Sequence, residues 1–229
     1  MKRIFYTILA VLPLFFSCEE KETEGISREI PVPHMELLGD NPVVLIKGTD
    51  YNEAGIYAER YTADGDTIKD VEYRKLNDVN PDVAGSYKIT YEVLNAEGVP
   101  FYINRDVTVA DIEGYDVFEL PTGVYDGIRV GRDAGGEVVI TKLTTGIYSV
   151  SDLLAGYYEQ YAGYGSAYGA PGVFVINEDG TITTELGYVS GWRETVEGVN
   201  ITFDEATNTI SYTQIMESGF SFDVKLTLQ

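Results

Sequence analysis

The chain has 229 residues, enough for one large or two ordinary domains, and at 44% hydrophobic residues it can bury a sizeable core. Its formal charge of −21 counts against nucleic-acid binding, which needs cations to displace counterions from phosphate, and against docking on anionic lipid through a basic patch. Uncharged glycans and divalent cations remain compatible.

Cys18 and His34 are the only residues of their kinds, so no disulfide forms within the chain and no zinc site of several Cys and His can be assembled. No cofactor is expected. The abundance of Tyr, Val, Ile and Thr in the apolar runs is the composition of sheet rather than helix.

Residues 1–17, MKRIFYTILAVLPLFFS, begin with Lys2 and Arg3 and continue with an apolar stretch too short to span a bilayer comfortably. This is a signal peptide, and the small Ser17 stands directly before Cys18. The arrangement resembles the lipobox of bacterial lipoproteins, with Phe15 and Phe16 bulkier than the usual residues. The resemblance implies that Cys18 is the lipidated first residue of the mature chain. Residues 18–30 then form an acidic tether whose EEKETEG run resembles the export signal of Bacteroidota lipoproteins on the outer face of the outer membrane.

From residue 31 to about 110 short strands alternate with turns, in MELLG, PVVLIKG, GIYAERYTA, IKDVEYRKL, GSYKITYEVLN and FYINRDVTVAD. Tyr87, Ile89, Tyr91 and Val93 lie on one face and Lys88, Thr90 and Glu92 on the other, the pattern of a half-buried antiparallel strand. ADGD (63–66) and NAEG (95–98) carry hairpin chemistry. Gly48, Tyr51, Glu53 and Gly55, then Gly85, Tyr87 and Tyr91, then Arg105, Val107 and Val109 occupy the positions of a motif series. That series resembles the bacterial immunoglobulin-like domain of many secreted proteins, some pesticidal crystal proteins among them. It implies a β-sandwich that serves as a spacer or partner module.

DIEGYDVFELP (111–121) reads as the hinge. Residues 122–229 are again strand-rich, in GVYDGIRVGR, EVVITKL, GIYSV, GVFVIN, TITTEL, VNITFD, NTISYTQ and FSFDVKLTL. SVSDLLAG is the one helical-looking turn, with Ser151 or Asp152 as its cap. The expected fold class is therefore all-β throughout, the second half being an antiparallel meander closed as a sandwich or small barrel. This half resembles an uncharacterised domain of Bacteroidota surface lipoproteins that accompany polysaccharide-uptake machinery. The resemblance implies context more than activity: a place beside outer-membrane transporter components and polysaccharide uptake, with glycan as the candidate ligand.

Carboxylate pairs are frequent, as in Asp64/Asp66, Glu178/Asp179 and Asp204/Glu205, but each lies in a hairpin turn. A glycosidase needs two carboxylates about 5–9.5 Å apart across one cleft. Neither Asp64/Asp66 nor Asn177/Asp179 has the spacing of a full calcium loop. No catalytic residue and no metal ligand is therefore assigned. VGRDAGGEV lacks the order of a phosphate loop and reads as a hairpin. His34 is expected at the surface.

Two candidates for ligand contact remain. Trp192, in SGWRE, either stacks on sugar rings or covers the end of a core. The loop GYYEQYAGYGSAYGAPG alternates glycine with Tyr157, Tyr158, Tyr161, Tyr164 and Tyr168. It is too aromatic for a linker, which leaves a packed lid or a binding surface. The functional expectation is noncovalent glycan capture. An interaction or spacer protein is the alternative, and a glycan-active enzyme the remote one.

Overall fold

The computed structural model describes residues 30–62 and 65–229. The leader, Cys18, nearly all of the tether and Asp64 lie outside them.

The first domain is a sandwich of two small sheets, as expected. Strands β1 (His34–Leu37), β3 (Ile56–Tyr61) and β4 (Thr67–Lys69) form one, in the order β1-β3-β4. Strands β2 (Val43–Ile46), β5 (Arg74–Lys75), β6 (Gly85–Leu94) and β7 (Pro100–Ala110) form the other, in the order β2-β7-β6-β5, with β2 parallel to β7. Ile56, Ala58, Ile89, Tyr91, Val93 and Val107 meet between the sheets. The alternation in β6 places Ile89, Tyr91 and Val93 inward, as its sequence requires.

One predicted strand is two. IKDVEYRKL divides between β4 and β5, which belong to different sheets. Asp70 turns the chain with φ +52°, and Val71 N–H then bonds Ala58 O (3.0 Å) as the chain crosses. Asp is among the few non-glycine residues that accept this conformation.

The family motif folds around a buried cation. Arg105 points inward from β7 and is 1% exposed. Its Nε donates to Glu53 Oε1 (2.7 Å), Nη1 to Asp40 O, and Nη2 to Leu38 O (2.5 Å) and Gly55 O (3.0 Å). Glu53 also accepts the Tyr51 hydroxyl and Gly55 N–H. Tyr51, Glu53, Gly55 and Arg105 are thus one polar knot.

The connecting segment is tied down from Gly114 onward. Tyr115 N–H bonds Ile176 O (2.9 Å), Phe118 stacks on Phe203 (6.4 Å between ring centroids), and Leu120 enters the second core.

The second domain resolves the choice between sandwich and barrel. Strands β8 (Gly123–Arg129), β9 (Glu137–Thr144), β10 (Ile147–Val150), β11 (Gly172–Ile176) and β12 (Ile182–Glu185) follow one another antiparallel. The short β13 (Tyr188–Val189) lies against β14 (Glu194–Asp204). Strands β15 (Thr209–Met216) and β16 (Ser221–Leu228) complete the meander, and β16 returns to pair with β8. The ring closes between β12 and β14, making an up-and-down barrel. That last junction has one backbone bridge, Ile182 with Ile201, and one further bond, Val196 N–H to Gly187 O (2.9 Å). Between them the Thr184 hydroxyl takes the place of a carbonyl and accepts Gly198 N–H (2.7 Å).

Side chains fill the barrel. Tyr125, Ile140, Tyr148, Phe174, Ile210 and Leu226 are among those sealed inside. GVFVI of β11 is buried at every position because both its faces are covered. Phe174 and Ile176 face the barrel core. Val173 and Val175, with Ile147, pack against Ile46 and Ala110 of the first domain. A strand buried on both faces gives a continuous apolar run instead of alternation.

The turns predicted at Asn177–Gly180 and Asp204–Asn208 form as expected. Asp179 Oδ1 accepts Thr181 N–H (2.9 Å) and Oγ1 (2.7 Å), and Asp204 accepts Ala206 N–H (2.9 Å) and Thr207 Oγ1 (2.9 Å). These bonds to the charged form lower both carboxyl pKa values.

Candidate functional site

In an up-and-down barrel alternate connections share an end. The β8–β9, β10–β11, β12–β14 and β15–β16 connections therefore meet at one mouth, a preferred position for ligand sites in barrels. The tyrosine–glycine stretch is the β10–β11 connection, Trp192 lies in the β12–β14 connection, and Arg129 closes β8.

The residues singled out in the sequence are brought together there. Tyr158 meets Trp192 edge-on at 4.7 Å between centroids, and Tyr168 meets the other part of the site through Trp192 at 5.2 Å. Tyr157 adjoins Tyr158 (5.0 Å) and Tyr161 (5.4 Å), and Tyr164 adjoins Tyr168 (5.4 Å). Tyr157, Tyr158, Tyr168 and Trp192 are half-buried, while Tyr161 is 63% and Tyr164 56% exposed. The loop is thus lid and surface at once: Tyr158 and Trp192 pack on the barrel core, and two rings face water.

The backbone beneath these rings is held at many points. The helical character expected over SVSDLLAG falls later, as one π-helical turn, Tyr157–Tyr161, and one 3-10 turn, Ser166–Tyr168. Asp152 caps neither. It is 1% exposed and ties both ends of the loop, accepting Leu154 N–H (2.8 Å), Gly156 N–H (3.0 Å) and Ala170 N–H (2.9 Å). Burial pushes its carboxyl up to about 6, against the opposing pull of the three N–H groups. Gln160 pairs with the start of β9 like a strand residue, donating to Glu137 O (2.8 Å) and accepting Glu137 N–H (2.9 Å). Tyr212, sealed in the core, donates to Leu153 O (2.9 Å).

Two glycines make this packing feasible. Gly156 has φ +65°, and a Cβ there would lie 2.7 Å from the Gly136 backbone. Gly191 donates its N–H to Ala167 O (2.6 Å), and a Cβ there would lie 2.8 Å from the Tyr168 ring.

Sequence reasoning missed three members of the site. Arg129 sits among rings, with its guanidinium carbon 4.8 Å from the Tyr157 centroid, 5.3 Å from Phe220 and 4.3 Å from Phe222, and its Nη1 donates to the Tyr158 hydroxyl (2.9 Å). Phe220 and Phe222 come from the β15–β16 connection and the start of β16. The meander parity itself is the signal that places all three at this end. On its other side the loop borders a cleft of about 450 Å³ against the first domain, lined in part by Asp40, Val44, Thr141, Ser149, Glu159 and Ser166.

An immunoglobulin-like sandwich leading into an up-and-down barrel defines a two-domain, all-β protein. Residues 35–109 match the family model described as a bacterial surface protein Ig-like domain, and residues 114–228 match a family model for a C-terminal domain. Among solved structures the chain is similar to the lipoprotein BT2262 from Bacteroides thetaiotaomicron. The two are 32% identical with a TM-score of 0.51, over 86% of this chain and 100% of that one. The chain belongs to this family of surface lipoproteins. No curated protein matches it. Among the described residues no helix is long and apolar enough to cross a membrane.

Proposed function

We propose that the protein is anchored through Cys18 to the outer face of the outer membrane and captures glycan noncovalently at the barrel mouth for a neighbouring transporter. The immunoglobulin-like domain is the spacer. The observation that carries this reading is the pair of water-facing rings, Tyr161 and Tyr164, on a loop already fixed by Asp152 and Gln160. Rings stack on the apolar faces of sugars. A loop that is ordered beforehand avoids most of the entropy cost of binding.

Native gels containing single polysaccharides, run with the mature protein, test the reading. Tyr161→Ala with Tyr164→Ala is expected to weaken retention roughly 10- to 100-fold, from about 1–3 kcal/mol of lost stacking. Its melting should fall only modestly, because both rings face water and what they lose is their ring contacts to Tyr157, Tyr158 and Tyr168, about 0.5–1.5 kcal/mol per pair at most. Retention unchanged by the double substitution would remove the rings from the site. Cys18→Ala should move the protein from the membrane fraction to the soluble fraction, and an unchanged distribution would reject the lipid anchor.

A further inference from the structure

The net charge of the chain suits an uncharged ligand, but the second domain places its few cations unevenly. Between residues 123 and 229 the basic side chains are Arg129, Arg132, Lys142, Arg193 and Lys225. Lys142 stands on the wall and pairs with Glu119. The three arginines all stand at the mouth. Arg129 ends β8, Arg132 lies in the turn after it, and Arg193 follows Trp192. Asp133, Glu137, Glu159, Glu185, Glu194 and Glu217 belong to the same end, yet among the described residues none forms an ion pair with any of these arginines. Glu194 instead accepts the Ser218 hydroxyl (2.8 Å).

Arg129 is the central one. A guanidinium has five N–H donors in a planar fork, and here only Nη1 is used within the protein, on the Tyr158 hydroxyl. The rings of Tyr157, Tyr158, Phe220 and Phe222 stand around its cation. None of its nitrogens is both sealed from solvent and without a partner. A fork of this kind fits the paired oxygens of a carboxylate or sulfate. It lies one ring away from exposed Tyr161, through Tyr157, and one ring away from exposed Tyr164, through Tyr158.

We infer that the mouth selects acidic glycans, with the Arg129 fork receiving the anionic group of a sugar while the tyrosine rings stack on the sugar faces. Arg132 and Arg193 stand at the same end, each next to a carboxylate, Asp133 and Glu194, and serve as secondary contacts to the fork. This rests on the glycan reading above and specifies its substrate class. The six carboxylates at this end outnumber the three arginines and oppose an anionic ligand, so the preference rests on the directed contact of the Arg129 fork, while carboxylates more than about 8 Å away are largely screened at physiological ionic strength.

The test is affinity electrophoresis of the mature protein in matched pairs of gels. Polygalacturonate is compared with methyl-esterified pectin, and dextran sulfate with dextran, so that carboxylate and sulfate are read separately. At least one acidic member is expected to bind about tenfold or more tighter than its neutral partner, the scale of one charge-assisted bidentate contact. Arg129→Met, which keeps the apolar stem, should remove that preference, and Arg129→Lys should restore only part of it, because lysine has no fork. If Arg129→Met disturbs the lid, as Trp192 fluorescence would show, the exposed pair Arg132→Gln with Arg193→Gln provides the second variant. It should lower acidic binding about threefold or more while leaving neutral binding alone. Equal binding within both gel pairs would overturn acidic selectivity and leave glycan capture standing. Retention in none of the four gels would overturn both.

Discussion

Arg105→Ala is expected to cost the immunoglobulin-like domain about 3–5 kcal/mol, the usual penalty for breaking a buried ion pair from one side. The side chain is 1% exposed and serves Glu53 and the carbonyls of Asp40, Leu38 and Gly55. Its removal leaves the Glu53 carboxylate without its counter-charge and the carbonyls of Asp40 and Leu38 without their donor, while Gly55 O keeps the Leu38 N–H. Lysine is no remedy, because a single ammonium cannot replace a planar fork directed at four acceptors. The first domain contains no tryptophan, so Trp192 reports the barrel alone. Urea unfolding followed by circular dichroism should therefore show an early transition in Arg105→Ala that Trp192 fluorescence does not share. Coincident, unshifted transitions would mean that the knot contributes little.

Asp152→Ala should cost the barrel about 3–5 kcal/mol, since it leaves three buried N–H groups unpaired at about 1–3 kcal/mol each before relaxation. Because those groups belong to Leu154, Gly156 and Ala170, the loss should appear first as loosening of the tyrosine loop, and glycan retention should fall with it. Asp152 also gives the barrel a pH dependence of definite sign. Its folded pKa, about 6, lies above the unfolded value of about 3.9, so the folded state holds more protons between those limits. Stability from this group is complete below about pH 4 and is lost as pH rises through 6, a change of about 3 kcal/mol. Asp179 and Asp204 act in the opposite sense and at lower pH, since their folded pKa values are lowered. Asp152→Asn should flatten the dependence between pH 4 and 6. A wild-type barrel that instead gains stability across that interval as pH rises would contradict the assignment.

Strands with one apolar face were legible because period-two patterning is local. The exposed and buried sides of β6 follow directly from Tyr87 to Val93. The break at Asp70 was not legible, since one aspartate inside an apparent strand gives little warning of a change of sheet. Nor was the first part of β14, since the expected strand VNITFD begins only at Val199, whereas β14 starts at Glu194 and buries Val196 and Gly198. At the site, residue types were legible and their meeting was not. Tyr158 and Trp192 are far apart in the chain and share the mouth only because the meander brings alternate connections to the same end. Arg129, Phe220 and Phe222 carried no local mark of function. Asp152 carried the mark of a helix cap, and only the return of the chain at Ala170 makes it the fastener of the loop.

The junction of β12 and β14 gives the barrel wall a clasp. Elsewhere neighbouring strands are joined by ladders of successive backbone bonds, but here one bridge and the hydroxyl of Thr184 carry most of the closure. Cooperative opening begins where few backbone bonds must break together. This line is therefore the least cross-linked seam of the wall, and the connection that spans it is the one that bears Trp192. The closure of the ring thus depends on one threonine side chain where every other seam is held by a backbone ladder.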